Sequence, residues 1–98
     1  MKQPPKMDRQ TLFRRVNHQI ASKIDNEYLI MDIEQGSYFA LRDVAGRIWE
    51  LLETPHSLQS LGEKLEEEYA VDPSVCQSEV DAFLKELIDI RLICRENA

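Results

Sequence analysis

Only three glycines, two cysteines and two histidines occur in the 98 residues, and each scarcity excludes a chemistry. With so little glycine there is no GxGxxG and no GxxxxGK[ST], so the backbone cradles that hold nucleotide phosphates are missing. Cys76 and Cys94 have no second Cys or His close by at a zinc-binding spacing, and no CxxC occurs. They read as small buried thiols. His18 and His56 have no nucleophile or orienting acid placed beside them in sequence, as a transfer or hydrolytic centre requires. His56, between Pro55 and Ser57, reads as a turn residue. No catalytic residue, no metal ligand and no cofactor are expected.

Long apolar runs are missing as well. Nowhere does the chain approach the roughly 18 apolar residues of a membrane span, and the basic start MKQPPKMDRQTLFRR is not followed by the apolar stretch of a secretory signal. A cytoplasmic protein with no membrane partner is expected. Positive charge is scarce beyond the N-terminus. Lys2, Lys6, Arg9, Arg14 and Arg15 against Asp8 give the first 15 residues +4, which leaves −10 on the other 83 within a total of −6. So acidic a body repels phosphate backbones, and no nucleic-acid partner is expected.

What is present is an ordinary small domain: 43% hydrophobic, 31% charged, and of a length that normally forms one core. Pro4-Pro5 and their polar neighbours make residues 1–12 a flexible basic arm, and residues 13–98 the domain. Three candidate strands follow, around Ile20 to Ile24, Tyr28 to Ile33 and Ser37 to Leu41, separated by Asp25-Asn26 and Glu34-Gln35-Gly36, both with turn chemistry. They predict a β-meander.

Three helices are predicted after it. Asp43 stands at an N-cap position before Val44, Ile48, Leu51 and Leu52, and Thr54-Pro55 stops the run. Ser57 opens a second helix, with Leu58, Leu61, Leu65 and Tyr69 on one face and a solvated run of glutamates elsewhere. Asp72-Pro73 opens the third and longest, marked by Val80, Phe83, Leu84, Leu87 and Ile88. Arg91 to Arg95 forms a final strand or an extended segment packed on the sheet. The fold class is therefore α+β and winged-helix-like, with an N-terminal three-stranded antiparallel sheet followed by three helices.

Two surfaces could bind a partner. The second and third helices have helix-turn-helix proportions, so a winged-helix DNA-binding transcription regulator is one reading. Yet residues 72–91 hold five acids against Lys85 and Arg91, the wrong sign for a groove. The other surface is the third strand. Its outer edge is free unless the C-terminal segment covers it, and Ser37, Tyr38, Phe39, Ala40 and Leu41 include no Lys, Pro or bulge signal of the kind that blocks edges. Such an edge beside an amphipathic helix suits β-augmentation by a guest peptide. A structural adaptor that uses this edge for homodimerisation is a further alternative.

The sequence resembles the PqqD-like proteins, the stand-alone leader-peptide recognition domain of ribosomally made, post-translationally modified peptide pathways. The resemblance runs from about Ile20 to Ile93. It rests on Tyr28-Leu29-Ile30-Met31-Asp32, Gly36-x-Tyr38-x-x-Leu41, Gly46-x-x-Trp49 with Leu51-Leu52, Leu61-x-x-x-Leu65-x-x-x-Tyr69, and Asp81-x-Phe83-Leu84-x-x-Leu87. The resemblance implies a non-catalytic peptide chaperone that binds the precursor's leader as an added strand along the third strand, flanked by the third helix. It implies presentation to a modifying enzyme such as a radical S-adenosylmethionine enzyme, a cyclase or a leader peptidase. The peptide-binding residues are then Ser37, Tyr38, Phe39, Ala40 and Leu41, with Val80, Phe83, Leu84 and Leu87 as apolar walls. Lys85 and Arg91 are placed to pair with leader acids. The chain departs from the family at Arg42, where Asn is usual, and at Ile90-Arg91, where Gly usually closes the last helix; a side chain in a left-handed cap costs energy.

Overall fold

The computed structural model describes residues 10–96. In chain order it comprises β1 (Leu12–Arg15), β2 (Gln19–Ile24), β3 (Glu27–Asp32), β4 (Ser37–Arg42), α1 (Val44–Leu51), β5 (His56–Ser57), α2 (Leu58–Glu68), α3 (Pro73–Asp89) and β6 (Ile93–Arg95). Most of the expected basic arm, residues 1–9, lies outside the described residues, and Leu12 already belongs to β1.

The meander β2-β3-β4 forms as the turn residues direct. Asp25, at φ 57, and Asn26 make a two-residue turn between Ile24 and its partner Glu27. The longer turn is organised by the buried Asp32, whose Oδ1 accepts from the N–H groups of Glu34 at 3.0 Å and Gln35 at 3.2 Å. Gly36, at φ 69, then supplies the left-handed residue that returns the chain into β4.

A second sheet, of order β5-β1-β6, was not expected from the sequence. Leu12 and Phe13 pair with Ser57 and His56, while Phe13, Arg14 and Arg15 pair with Arg95, Cys94 and Ile93. His56 is thus a strand residue rather than a turn residue. The C-terminal segment is a strand, as one of the two expectations had it, but it joins β1 and not the meander. Phe13, Trp49, Leu52, Leu61, Leu84 and Leu92 are among the side chains almost wholly withdrawn from water.

The helix ends follow local chemistry in two cases of three at the N-termini. Ser57 accepts from the Ser60 N–H while the Ser60 hydroxyl accepts from the Ser57 N–H, a reciprocal capping box. Asp72 Oδ1 accepts from the Ser74 and Val75 N–H groups, with Pro73 in the first helical position. Asp43 corrects the third expectation. At φ 53 and ψ −121 its backbone lies outside the extended range of side-chain caps, so its carboxylate bonds no helical N–H, although its carbonyl accepts from Arg47 N at 3.0 Å.

The C-terminus of α3 resolves the missing glycine. Arg91 N donates to Ile88 O and Leu92 N to Leu87 O, both at 3.0 Å, with Arg91 itself at φ 63. This is a complete Schellman motif, with Leu87 and Leu92 both buried and arginine in the position that favours glycine.

Candidate functional site

The meander backbone decides which groups reach its edges. Ile33 N donates to His18 O at 3.0 Å, and this pair continues the β2-β3 register. Hydrogen-bonded pairs alternate in an antiparallel ladder, so Glu27, Leu29 and Met31 bond toward β2, whereas Tyr28, Ile30 and Asp32 bond toward β4. Their partners Leu41, Phe39 and Ser37 are satisfied within the sheet. Tyr38, Ala40 and Arg42 therefore direct their N–H and C=O groups away from β3. No strand pairs with that side of β4 among the described residues.

The same alternation sorts the side chains. Phe39 and Leu41 face the core, where Leu41 is buried and Phe39 packs on the buried cluster. Tyr38 and Ala40 face outward, with Tyr38 74% exposed, and Arg42 on that face pairs with Glu27 at 2.6 Å. Two residues beyond Arg42 an apolar cavity of about 200 Å³ begins at Val44. Ala45 and Ile48 of α1, Tyr69 and Val71 after α2, and Val80 and Phe83 of α3 line it, and Glu79 is its one charged wall.

Of the other residues expected at the site, Leu84 and Leu87 are fully buried and anchor α3 to the core. Lys85 Nζ lies 2.9 Å from Asp81 Oδ2, one turn away on the same helix. Arg91 is taken up by the α3 cap. Arg42, the cavity walls on α1 and the Tyr69-Val71 link went unnoticed in the sequence as site residues. Arg42 carries no signal of its own in the sequence, because its place at the edge depends on the parity of β4.

The meander is tied to α1 by a polar clamp on β2 and β3. Glu50 Oε2 accepts from Tyr28 Oη at 2.6 Å and from Lys23 Nζ at 3.0 Å, while Arg47 Nη1 donates to Glu50 Oε1 at 3.2 Å. The hydrogen bond from Tyr28, then that from Lys23, lowers the Glu50 pKa to about 2. Burial, and then the bond to Glu50, raises that of Tyr28. Arg47 also grips Glu68 of α2 through two bonds, at 2.8 and 2.7 Å, which raise its pKa and lower that of Glu68. Gly46 lets α1 approach closely, since a Cβ there would stand 3.2 Å from Leu41 O and 3.4 Å from Tyr28 Cδ2. Among the described residues no cluster of three His, Cys, Asp or Glu could hold a metal ion, and no helix is long and apolar enough to cross a membrane.

On a winged-helix-like scaffold, the described residues thus place a strand edge with outward backbone donors next to an apolar cavity, the two features that β-augmentation uses. The family description Coenzyme PQQ synthesis protein D (PqqD) matches residues 27–93, well over half of the chain, and the chain belongs to that family. Two solved structures share the fold. One, described as TbiB1 in complex with the TbiA(beta) leader peptide, is 26% identical, with a TM-score of 0.79 over 87% of this chain and 99% of that one. The other, a lasso peptide synthetase B1 complexed with the leader peptide, is 23% identical, with a TM-score of 0.75 over 84% and 96%. No match was found among curated proteins.

Proposed function

We infer that this protein is a non-catalytic chaperone that takes up the leader of a ribosomally made precursor peptide as a strand on β4 and presents it to a modifying enzyme. The observation that carries this is the parity of β4. Tyr38, Ala40 and Arg42 offer outward backbone groups in a row that ends at the cavity between α1 and α3. Family membership and the leader peptides bound by the two structural relatives support the same reading. The acidic α3 weighs against the DNA-binding alternative.

In this reading the backbone of Ser37 to Leu41, extended by Arg42, supplies register, and Val80 and Phe83 help form the pocket for an apolar leader side chain. Lys85 and Arg91 contribute little, because one is paired and the other caps a helix. The enzyme served is a radical S-adenosylmethionine enzyme, a cyclase or a leader peptidase, and the setting is cytoplasmic. Four main-chain bonds at about 0.5–1.5 kcal/mol each and two apolar anchors at about 1.5–3 give a gross gain on the order of 10 kcal/mol. Ordering the peptide removes several of these, which leaves a micromolar affinity.

Proline substitution tests the parity directly. Ala40→Pro removes an outward donor, so the variant folds and loses affinity for a leader peptide; Phe39→Pro removes a ladder bond to β3 and destabilises the meander. In an NMR titration the amide shifts concentrate in Ser37 to Arg42, in Val80 to Leu87 and at the cavity walls Leu65 and Tyr69, with Leu58 to Lys64 little affected. Retention of full affinity by a folded Ala40→Pro variant would show that the guest is not a strand on this edge.

A further inference from the structure

Among the described residues the meander has a second open edge, on β2, which the leader does not need. We propose that two copies of this chain associate through their β2 strands, antiparallel about Ser22, into one six-stranded sheet that leaves both β4 edges free.

The alternation that points Tyr38 and Ala40 outward on β4 points Gln19, Ala21 and Lys23 outward on β2, because Ile20, Ser22 and Ile24 bond to β3. Six residues pair continuously with β3 without a bulge or a proline. The one lysine that could guard this edge is turned under the sheet, 3.0 Å from Glu50 Oε2 and 5.8 Å from the centre of the Tyr28 ring. On the opposite face Ile20 and Ile24 are each 53% exposed, beside Leu29 and Tyr38. Unprotected edges with apolar neighbours are templates for pairing with another chain.

The occupant follows from the order of side chains along β2. With Ser22 opposite Ser22 of the second copy, Ala21 faces Lys23 and the two exchange both backbone bonds, twice in the dimer. Ile20 then meets the second copy's Ile24 in a non-hydrogen-bonded position, where opposed side chains stand closest. Gln19 faces Asp25, and no like charges oppose one another. Moving the axis to Lys23 sets lysine against lysine, and moving it to Ala21 parts the isoleucines. The strand is thus self-complementary in one register, which is the requirement of a two-fold interface. The pairing does not depend on the leader reading, since it involves the other edge.

Sedimentation velocity from low micromolar to submillimolar concentration reads the association. The expected result is a monomer–dimer equilibrium that Ala21→Pro weakens roughly tenfold or more, through the loss of two donors per dimer. Ile20→Lys and Ile24→Glu each weaken it, and the double variant restores it because the two new charges face each other across the axis. Ser22→Cys gives a covalent dimer on mild oxidation, which the native chain, with its buried Cys76 and half-buried Cys94, does not. Ala40→Pro leaves the dimer intact. A chain that stays monomeric throughout and fails to cross-link as Ser22→Cys overturns the proposal. So does a dimer lost in Ala40→Pro but kept in Ala21→Pro, which would place the interface on β4. Should Ala21→Pro fail to fold, the charge-swapped pair at 20 and 24 decides alone.

Discussion

The two sheets divide the labour of this small protein. In β5-β1-β6 the strands are only two to four residues long, yet β1 is covered on both edges and its Phe13 is completely buried. In β2-β3-β4 every strand has six residues and a full register, yet among the described residues both outer edges stay open, and β2 is exposed along nearly its whole length. Burial, not strand length, separates the part whose edges are covered from the part whose edges are free. The Glu50 clamp and the close approach at Gly46 join the meander to α1, and Arg15 joins β1 to the same helix through the Trp49 carbonyl.

The largest effect belongs to the buried half. Trp49→Ala removes a side chain only 1% exposed, onto which the Arg15 guanidinium stacks at 4.5 Å, and lowers stability by about 3–5 kcal/mol in urea denaturation. If the meander melted separately and survived this change, the two halves would not be one cooperative unit. A smaller effect comes from the open half. Asp32→Ala frees the Glu34 and Gln35 amides, costs about 1–3 kcal/mol, and speeds hydrogen exchange at those two amides more than in β1.

The clamp gives the comparison a pH dependence. The Glu50 carboxyl is lowered from its usual 4.5 to about 2 in the folded protein, so its contribution is complete above 4.5 and is lost as pH falls toward 2. At 27% exposure solvent screens part of this contribution. Glu50→Gln should flatten that segment of an acid-unfolding profile, and an unchanged slope would remove the clamp from the account. Smallest is a gain: Arg91→Gly relieves the left-handed cap and raises stability by about 1 kcal/mol, read as a higher denaturation midpoint with unchanged leader affinity.

The parts legible in the sequence are those written locally. Asp25-Asn26 and Glu34-Gln35-Gly36 are turns, and Ser57 and Asp72-Pro73 open helices, because each acts on a backbone within three residues. The second sheet was not legible because β1 finds its partners more than forty residues away, and a two-residue strand such as His56-Ser57 has no period to read. Asp43 failed as a side-chain cap because the backbone joining β4 to α1 turns through a positive φ there, where its N–H donates to the Asn26 carbonyl of the neighbouring hairpin at 3.4 Å. At the candidate site the strand was legible but its parity was not, since parity depends on the register fixed by both hairpins. The cavity walls on α1 and after α2 likewise depend on how three helices meet.

The stacking of Arg15 on Trp49 has a practical consequence for observing this molecule in solution. Trp49 is the only tryptophan, so excitation of the indole reads one ring in one environment. That ring is almost wholly buried beneath a cation from β1, with Arg15 Nε donating to the Trp49 carbonyl at 3.0 Å. Its emission therefore follows the opening of the seam between the first strand and the first helix. Arrival of a strand at the far edge of the meander is better followed through the phenol of Tyr38, which stands in solvent on that edge.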